Sequence, residues 1–120
     1  AVNRSNFKTL VDVGNFLVVD EDPLVGVRNN LPYAGFVHFK DFYIRPENFV
    51  GGEGWFKTKH GRFLRGAIVG EGDMDTRGIL SILKNSGYSG HISIEFEGIE
   101  DCIFGSRKGM ENLKALLQEV

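Results

Sequence analysis

The stretch His91-Ile92-Ser93-Ile94-Glu95-Phe96-Glu97 decides the fold. Its residues alternate at the two-residue period of a strand: Ile92, Ile94 and Phe96 share one face, and His91, Ser93, Glu95 and Glu97 share the other. The apolar face can pack on helices, whereas the polar face must look into water, a cavity or a metal site. Helical signals flank the stretch. Upstream, Asp75 can cap a helix whose Ile79, Leu80, Ile82 and Leu83 fit helical spacing, and Asn85-Ser86-Gly87 ends it with glycine in the usual C-terminal role. Downstream, Ser106 opens a helix with Met110, Leu113, Leu116 and Leu117 on one face.

The same unit recurs twice toward the N-terminus. Residues from about Phe7 to Val13 read as a first strand, and Asp22-Pro23 starts a short helix that runs to about Asn30. A second strand spans Gly35 to Tyr43. Strands alternating with helices at this spacing predict an α/β fold with a parallel sheet and right-handed crossovers. No repeat, low-complexity tract or linker divides residues 1–120. Between the second strand and the second helix lies a loop over residues 44–74, rich in glycine and carrying Trp55, Phe56 and Phe63. Loops of about 30 residues inside a compact unit are usually functional or disordered, and this one leaves the C-terminal end of a strand, where α/β folds place their active sites.

Composition narrows the function classes. The 120 residues carry 14 Lys plus Arg against 16 Asp plus Glu, so the formal charge of −2 argues against a protein that grips nucleic-acid phosphates. A 42% hydrophobic share with 25% charged residues is that of an ordinary globular chain. No apolar run approaches the roughly 18 residues of a membrane span. The lone Cys102 excludes an internal disulfide and a multi-cysteine zinc site, and fits a reducing, cytoplasmic setting. A first residue, Ala1, that is not Met suggests processing or a chain that begins partway through something longer.

The three strands end in polar residues. Asp12 closes the first strand, and Glu95 sits near the end of the third. In the second strand Phe36, His38 and Lys40 point one way, while Val37, Phe39 and Asp41 point the other. Asp12, His38 and Glu95 converging at the mouth of a parallel sheet would make a nitrogen-and-oxygen site for one divalent metal, Mn, Co, Mg or Zn. A solvated rim of unrelated polar residues is the plainer alternative.

Five short motifs occur in order: Val11-Asp12-Val13-Gly14-Asn15-Phe16, His38-Phe39-Lys40-Asp41, Gly70-Glu71-Gly72-Asp73-Met74-Asp75, Gly87-Tyr88-Ser89-Gly90 and Ser93-Ile94-Glu95-Phe96-Glu97-Gly98. Together they resemble the C-terminal portion of the xylose isomerase-like sugar phosphate isomerase/epimerase family, whose fold is an eight-fold (β/α) TIM barrel. The resemblance implies that the chain is the last three βα units of that barrel, about strands 6–8, with residues 1–6 the end of the preceding helix. It implies a divalent-metal-dependent isomerase or epimerase that moves a proton through an enediolate, acting on a sugar or a small hydroxy-ketone. Asp12, His38 and Glu95 would be metal ligands, with Glu95 also the acid/base. The family's first glutamate belongs to a strand upstream of this sequence, and three strands are too few to close a barrel. The chain is therefore expected to self-associate or to pair with the missing N-terminal barrel half, and to be inactive alone. Asn15 stands where many relatives carry histidine; asparagine can bond a substrate hydroxyl but is a poor metal ligand, which disfavours a multi-metal centre.

Other residues carry two readings each. Lys40 could meet a substrate oxyanion or phosphate, or be an ion-paired barrel lysine. Trp55, Phe56 and Phe63 could close over substrate with Arg62 or Arg65, or pack the loop on its own barrel. Asp41 reads as structural, Glu71 and Asp73 as parts of a turn that could shape the sugar pocket, and Glu97 as a bond to neighbouring loops. His91 reads as structural, His60 as solvated, and Cys102 as no nucleophile. Two alternatives stay open: a dehydratase of a cyclic polyol ketone, and a barrel fragment that only binds or assembles. DNA-repair endonucleases of the same barrel type need further histidines that are absent.

Overall fold

The computed structural model describes residues 4–120. In chain order these form β1 (Thr9–Asp12), α1 (Asn15–Val18), α2 (Pro23–Asn30), a 3-10 turn (Leu31–Tyr33), β2 (Ala34–Phe39), β3 (Asp41–Arg45), β4 (Phe56–Lys57), β5 (Phe63–Ala67), α3 (Thr76–Asn85), β6 (His91–Ile94) and α4 (Cys102–Glu119). Two three-stranded sheets result, one of order β1-β2-β6 and one of order β3-β5-β4. The first is parallel throughout, as the strand–helix alternation predicts.

Local chemistry accounts for the helices. Asp22 accepts hydrogen bonds from the N–H groups of Leu24 and Val25, with Pro23 at the first helical position, so α2 begins where the sequence says. Asp75 caps α3 through Gly78 N at 2.8 Å, and Gly87 ends it at φ +72°, a conformation that glycine takes without strain. The last helix starts earlier than Ser106. Asp101 accepts from Phe104 N at 2.8 Å and is the true cap, so Cys102 and Ile103 are already helical. Of residues 1–6, expected as a helix end, 1–3 lie outside the described residues and Arg4 to Phe7 make a turn closed by a 3.1 Å bond.

The second strand departs most from expectation. It does not run unbroken from Gly35 to Tyr43, because the chain leaves the parallel sheet at Lys40 and enters β3, which pairs antiparallel with β5. Residues 44–74 thus carry the end of β3 and all of β4 and β5, a small antiparallel sheet joined by irregular segments, rather than a bare loop. The buried carboxylate of Asp41 fixes the departure by accepting N–H groups from Phe42, Gly70, Gly72 and Met74.

Beneath the parallel sheet the core is built from Val11, Val37, Phe39, Val69, Ile79, Leu80, Leu83 and Leu113. Val37 and Phe39 are fully buried while Phe36 and His38 are half-exposed, which fixes the face that carries the site. A second, smaller cluster of Leu17, Phe42 and Leu64 joins α1 to the small sheet. Opposite Phe42, Gly66 lies against the backbone after β6: a Cβ there would sit 2.3 Å from the Glu97 carbonyl oxygen. Gly66→Ala is expected to destabilise the protein by about 1–3 kcal/mol through forced backbone displacement. Gly52→Ala, where a Cβ meets nothing within 4 Å, should leave the thermal midpoint near wild type in the same melts. Equal melting of the two variants would refute the packing of the small sheet on the β6 end.

The outer edges of β1 and β6 have no strand partner among the described residues, and Leu10 within β1 and Phe7 just before it are exposed. No helix among the described residues is long and apolar enough to cross a membrane.

Candidate metal centre

Register brings the polar strand ends together. Asp12 pairs with His38 across β1 and β2, and His38 pairs with Ser93 across β2 and β6. Glu95 is two residues beyond Ser93 and so returns to the same face, held by its N–H to Phe39 O at 3.0 Å. One donor atom from each of Asp12, His38 and Glu95 lies within 4.8 Å of the others. His38 Nδ1 is 3.5 Å from Glu95 Oε2, and the edge of Phe36 meets the imidazole with ring centroids 5.6 Å apart.

Lys40 lies in the middle. Its side chain is 4% exposed, and Nζ sits 2.8 Å from Glu95 Oε2, 3.1 Å from Asp12 Oδ2 and 3.4 Å from Glu97 Oε2. Asn15 Oδ1 is 3.3 Å away. The lysine stem crosses Gly14 so closely that a Cβ there would be 2.3 Å from Lys40 Cγ. The Asp12 carboxylate is oriented from the other side, where Oδ1 accepts the N–H groups of Gly14 and Asn15.

These contacts shift the ionisations in opposite directions. Burial raises the Asp12 carboxyl above its ordinary range, and Lys40 opposes this only in part. The Lys40 ammonium beside it lowers the Glu95 carboxyl, against some burial. Burial would lower Lys40, but Glu95 and Asp12 together outweigh it and hold the ammonium charged.

The donor set fits a divalent ion. Three carboxylates, the largely covered Asp12 and the more open Glu95 and Glu97, face one ammonium, so the rim carries an excess of negative charge. Glu95 Oε2 is buried, and its approach to Lys40 lacks the alignment of a hydrogen bond, which leaves a lone pair unused. An imidazole and two carboxylate oxygens suit Mn, Co, Mg or Zn alike.

Trp55 and Arg65 gather with Tyr43, the Arg65 guanidinium lying 4.9 Å from the Tyr43 ring and 5.3 Å from the Trp55 ring. Trp55 also lies tilted against Phe49, with ring centroids 4.7 Å apart, and Arg45 lies over it. Phe56 instead pairs with Leu64 and meets Phe42 edge-on, and Phe42 reaches Gly14 beside the carboxylates. Asp73 holds Ile44 N and Arg45, as a turn residue would. His91 stacks on Phe36.

Glu97 belongs with Lys40 rather than with neighbouring loops; its place on the Glu95 face was the available signal. Asp20 had none. At φ +62° it accepts His60 N at 2.7 Å and Arg62 Nε at 2.8 Å, tying residues 58–62 to the end of α1. Burial pushes its carboxyl upward, but Arg62 and the His60 N–H outweigh that and lower it to about 2. A carboxyl lowered on folding stabilises above its ordinary range near 3.8, and this is lost as pH falls through about 2. Protection of the His60 amide, its exchange measured against the intrinsic rate at each pH, should therefore fall on acidification from pH 4 to 2. Asp20→Asn should flatten that response, and an identical profile in the variant would contradict the tie.

A parallel α/β sheet with its polar residues gathered on the C-terminal rim is an arrangement that TIM barrels share with open α/β sheets. The family model for the xylose isomerase-like TIM barrel matches residues 1–117, and the chain belongs to that family. Among solved structures it is similar to a xylose isomerase domain protein from Planctomyces limnophilus, with a TM-score of 0.72 and 24% identity over 98% of this chain. The chain spans 38% of that structure's length. No curated protein matches it.

Proposed function

We propose that this chain supplies the last three βα units, about strands 6–8, of a TIM barrel that isomerises or epimerises a sugar or small hydroxy-ketone with one divalent ion. The observation that carries the reading is the convergence of Asp12, His38 and Glu95 donors within 4.8 Å on one strand rim. When bound, the ion would polarise the substrate carbonyl and stabilise the charge that develops on its oxygen. Asp12, His38 and Glu95 would hold the ion, with Asp12 aimed by the Gly14 and Asn15 N–H groups.

Glu95 is the group that moves the proton. Its carboxyl is lowered by Lys40, so it is ionised at neutral pH, and its side chain is 37% exposed and open to substrate. It takes the proton from the carbon beside the carbonyl, leaving an enediolate. Return of a proton to the former carbonyl carbon, with the hydroxyl proton passing from one enediol oxygen to the other, gives the isomer, and return to the opposite face of the original carbon gives the epimer. A proton returned to the opposite face calls for a second acid, which the rest of the barrel would provide. Phe56 is the aromatic residue better connected to this rim than Trp55.

The unpartnered edges of β1 and β6 favour completion of the sheet by preceding βα units, or by a second copy of this chain. The test is deuterium wash-in: the metal-loaded full-length protein, incubated in D2O with a panel of keto-sugars and hydroxy-ketones, should label the carbon beside the carbonyl of at least one. No label in any member of the panel would overturn the proton-transfer reading.

A further inference from the structure

Asp12 has one oxygen free for a metal, and that oxygen is shared. Oδ1 is taken by two backbone N–H groups, and Oδ2 lies 3.1 Å from Lys40 Nζ. Glu95 Oε2 is likewise 2.8 Å from the same ammonium. Lys40 Nζ thus bridges the two carboxylates that an ion would have to join. It cannot leave by swinging across Gly14, which it already touches. Two further acceptors already lie against it: Asn15 Oδ1, which accepts a hydrogen bond at 3.3 Å, and Glu97 Oε2, an ion-pair partner at 3.4 Å.

We propose that Lys40 is a resident cation that a divalent ion displaces. Its ammonium bridges Asp12 and Glu95 while the site is metal-free, and passes to Glu97 and Asn15 when the ion binds. The inference rests on the metal-dependent reading above. The electrostatics follow from the charges. Na+ or K+ would have to shed water to replace a group of equal charge, and would gain nothing over it. A divalent ion brings a second charge to a cluster that carries an excess of negative charge. Lys40 therefore makes the site selective for divalent over monovalent ions. Glu97, outside the triad, controls metal affinity by receiving the ammonium.

Mn2+ titration calorimetry on the full-length protein tests this. Lys40→Met removes the competitor and should tighten Mn2+ binding by about tenfold or more. Glu97→Gln should weaken it by about threefold or more when Lys40 is present, but by less than about twofold in the Lys40→Met background. Unchanged or weaker binding in Lys40→Met overturns the proposal, as does an equal Glu97→Gln effect in both backgrounds. Should Lys40→Met fail to fold, the 15N-detected signal of the Lys40 ammonium in the wild-type protein decides: it should shift on adding Mg2+, and a stationary signal overturns the displacement. If the wild-type protein takes up no Mn2+ at all, the metal-dependent reading falls and the displacement with it. If the wild-type protein binds Mn2+, Asp12→Ala does not, and Lys40→Met fails to tighten binding, the displacement alone falls.

Discussion

Glu95→Gln in the full-length protein is expected to slow hydrogen exchange at the carbon beside the substrate carbonyl by about 10²–10⁴-fold, the range that a positioned acid–base group supplies. The amide keeps the shape of the side chain and its reach across the rim, but cannot accept the proton. The wild-type pH profile carries the sign. Because Lys40 lowers the Glu95 carboxyl below its ordinary 4.5, with His38 helping, the base form persists through neutral pH, and exchange should fail only below the ordinary glutamate range. Measuring kcat/KM against pH for both proteins checks the two statements together. A Glu95→Gln variant within about threefold of wild type would remove Glu95 from the chemistry.

Asp41→Ala carries the largest expected loss of stability. The side chain is 1% exposed and accepts four backbone N–H groups, at 2.8 Å from Phe42, 3.0 Å from Gly70, 3.0 Å from Gly72 and 3.3 Å from Met74. Gly72 comes so close that a Cβ would lie 2.2 Å from Asp41 Oδ1, so no larger residue could take its place in this ring. Alanine strands several buried donors, each costing about 1–3 kcal/mol, for a total of roughly 3–5 kcal/mol after relaxation. Against a typical stability of about 5–15 kcal/mol, that is enough to leave much of the protein unfolded. Asp41→Asn should lose nearly as much, because its NH2 group would face a backbone donor. Denaturant unfolding checks both variants, and a shift under about 1 kcal/mol in Asp41→Ala would mean that the four bonds do not hold the small sheet.

What could be read from the sequence followed from short-range rules. The alternation of residues 91–97 fixed a strand face, and Asp22-Pro23 and Asp75 fixed two helix starts, because caps act over three or four residues. Convergence of Asp12, His38 and Glu95 was legible because neighbouring parallel strands end on one rim, so residues at matching positions meet. What stayed hidden depends on long-range or ambiguous signals. Asp101 and Ser106 are both good cap residues, and only the bond to Phe104 N decides between them. Gly66 interrupts the strand pattern of Phe63-Leu64-Arg65-Gly66-Ala67, although the glycine is there to admit the Glu97 backbone. Lys40 has four rotatable carbons, so its strand face told nothing of where its ammonium would settle. Trp55 and Arg65 were placed in a loop whose pairing the sequence does not display, and they meet Tyr43 and each other.

The central claim is that Asp12, His38 and Glu95 hold one divalent ion in common. Its most direct test is the metal content of the purified full-length protein and of Asp12→Ala, His38→Ala and Glu95→Ala, after equilibration with Mn2+ and removal of free ion. One ion per chain is expected in the wild-type protein, and a fall well below that in each folded variant. Wild-type metal content in all three variants would contradict it.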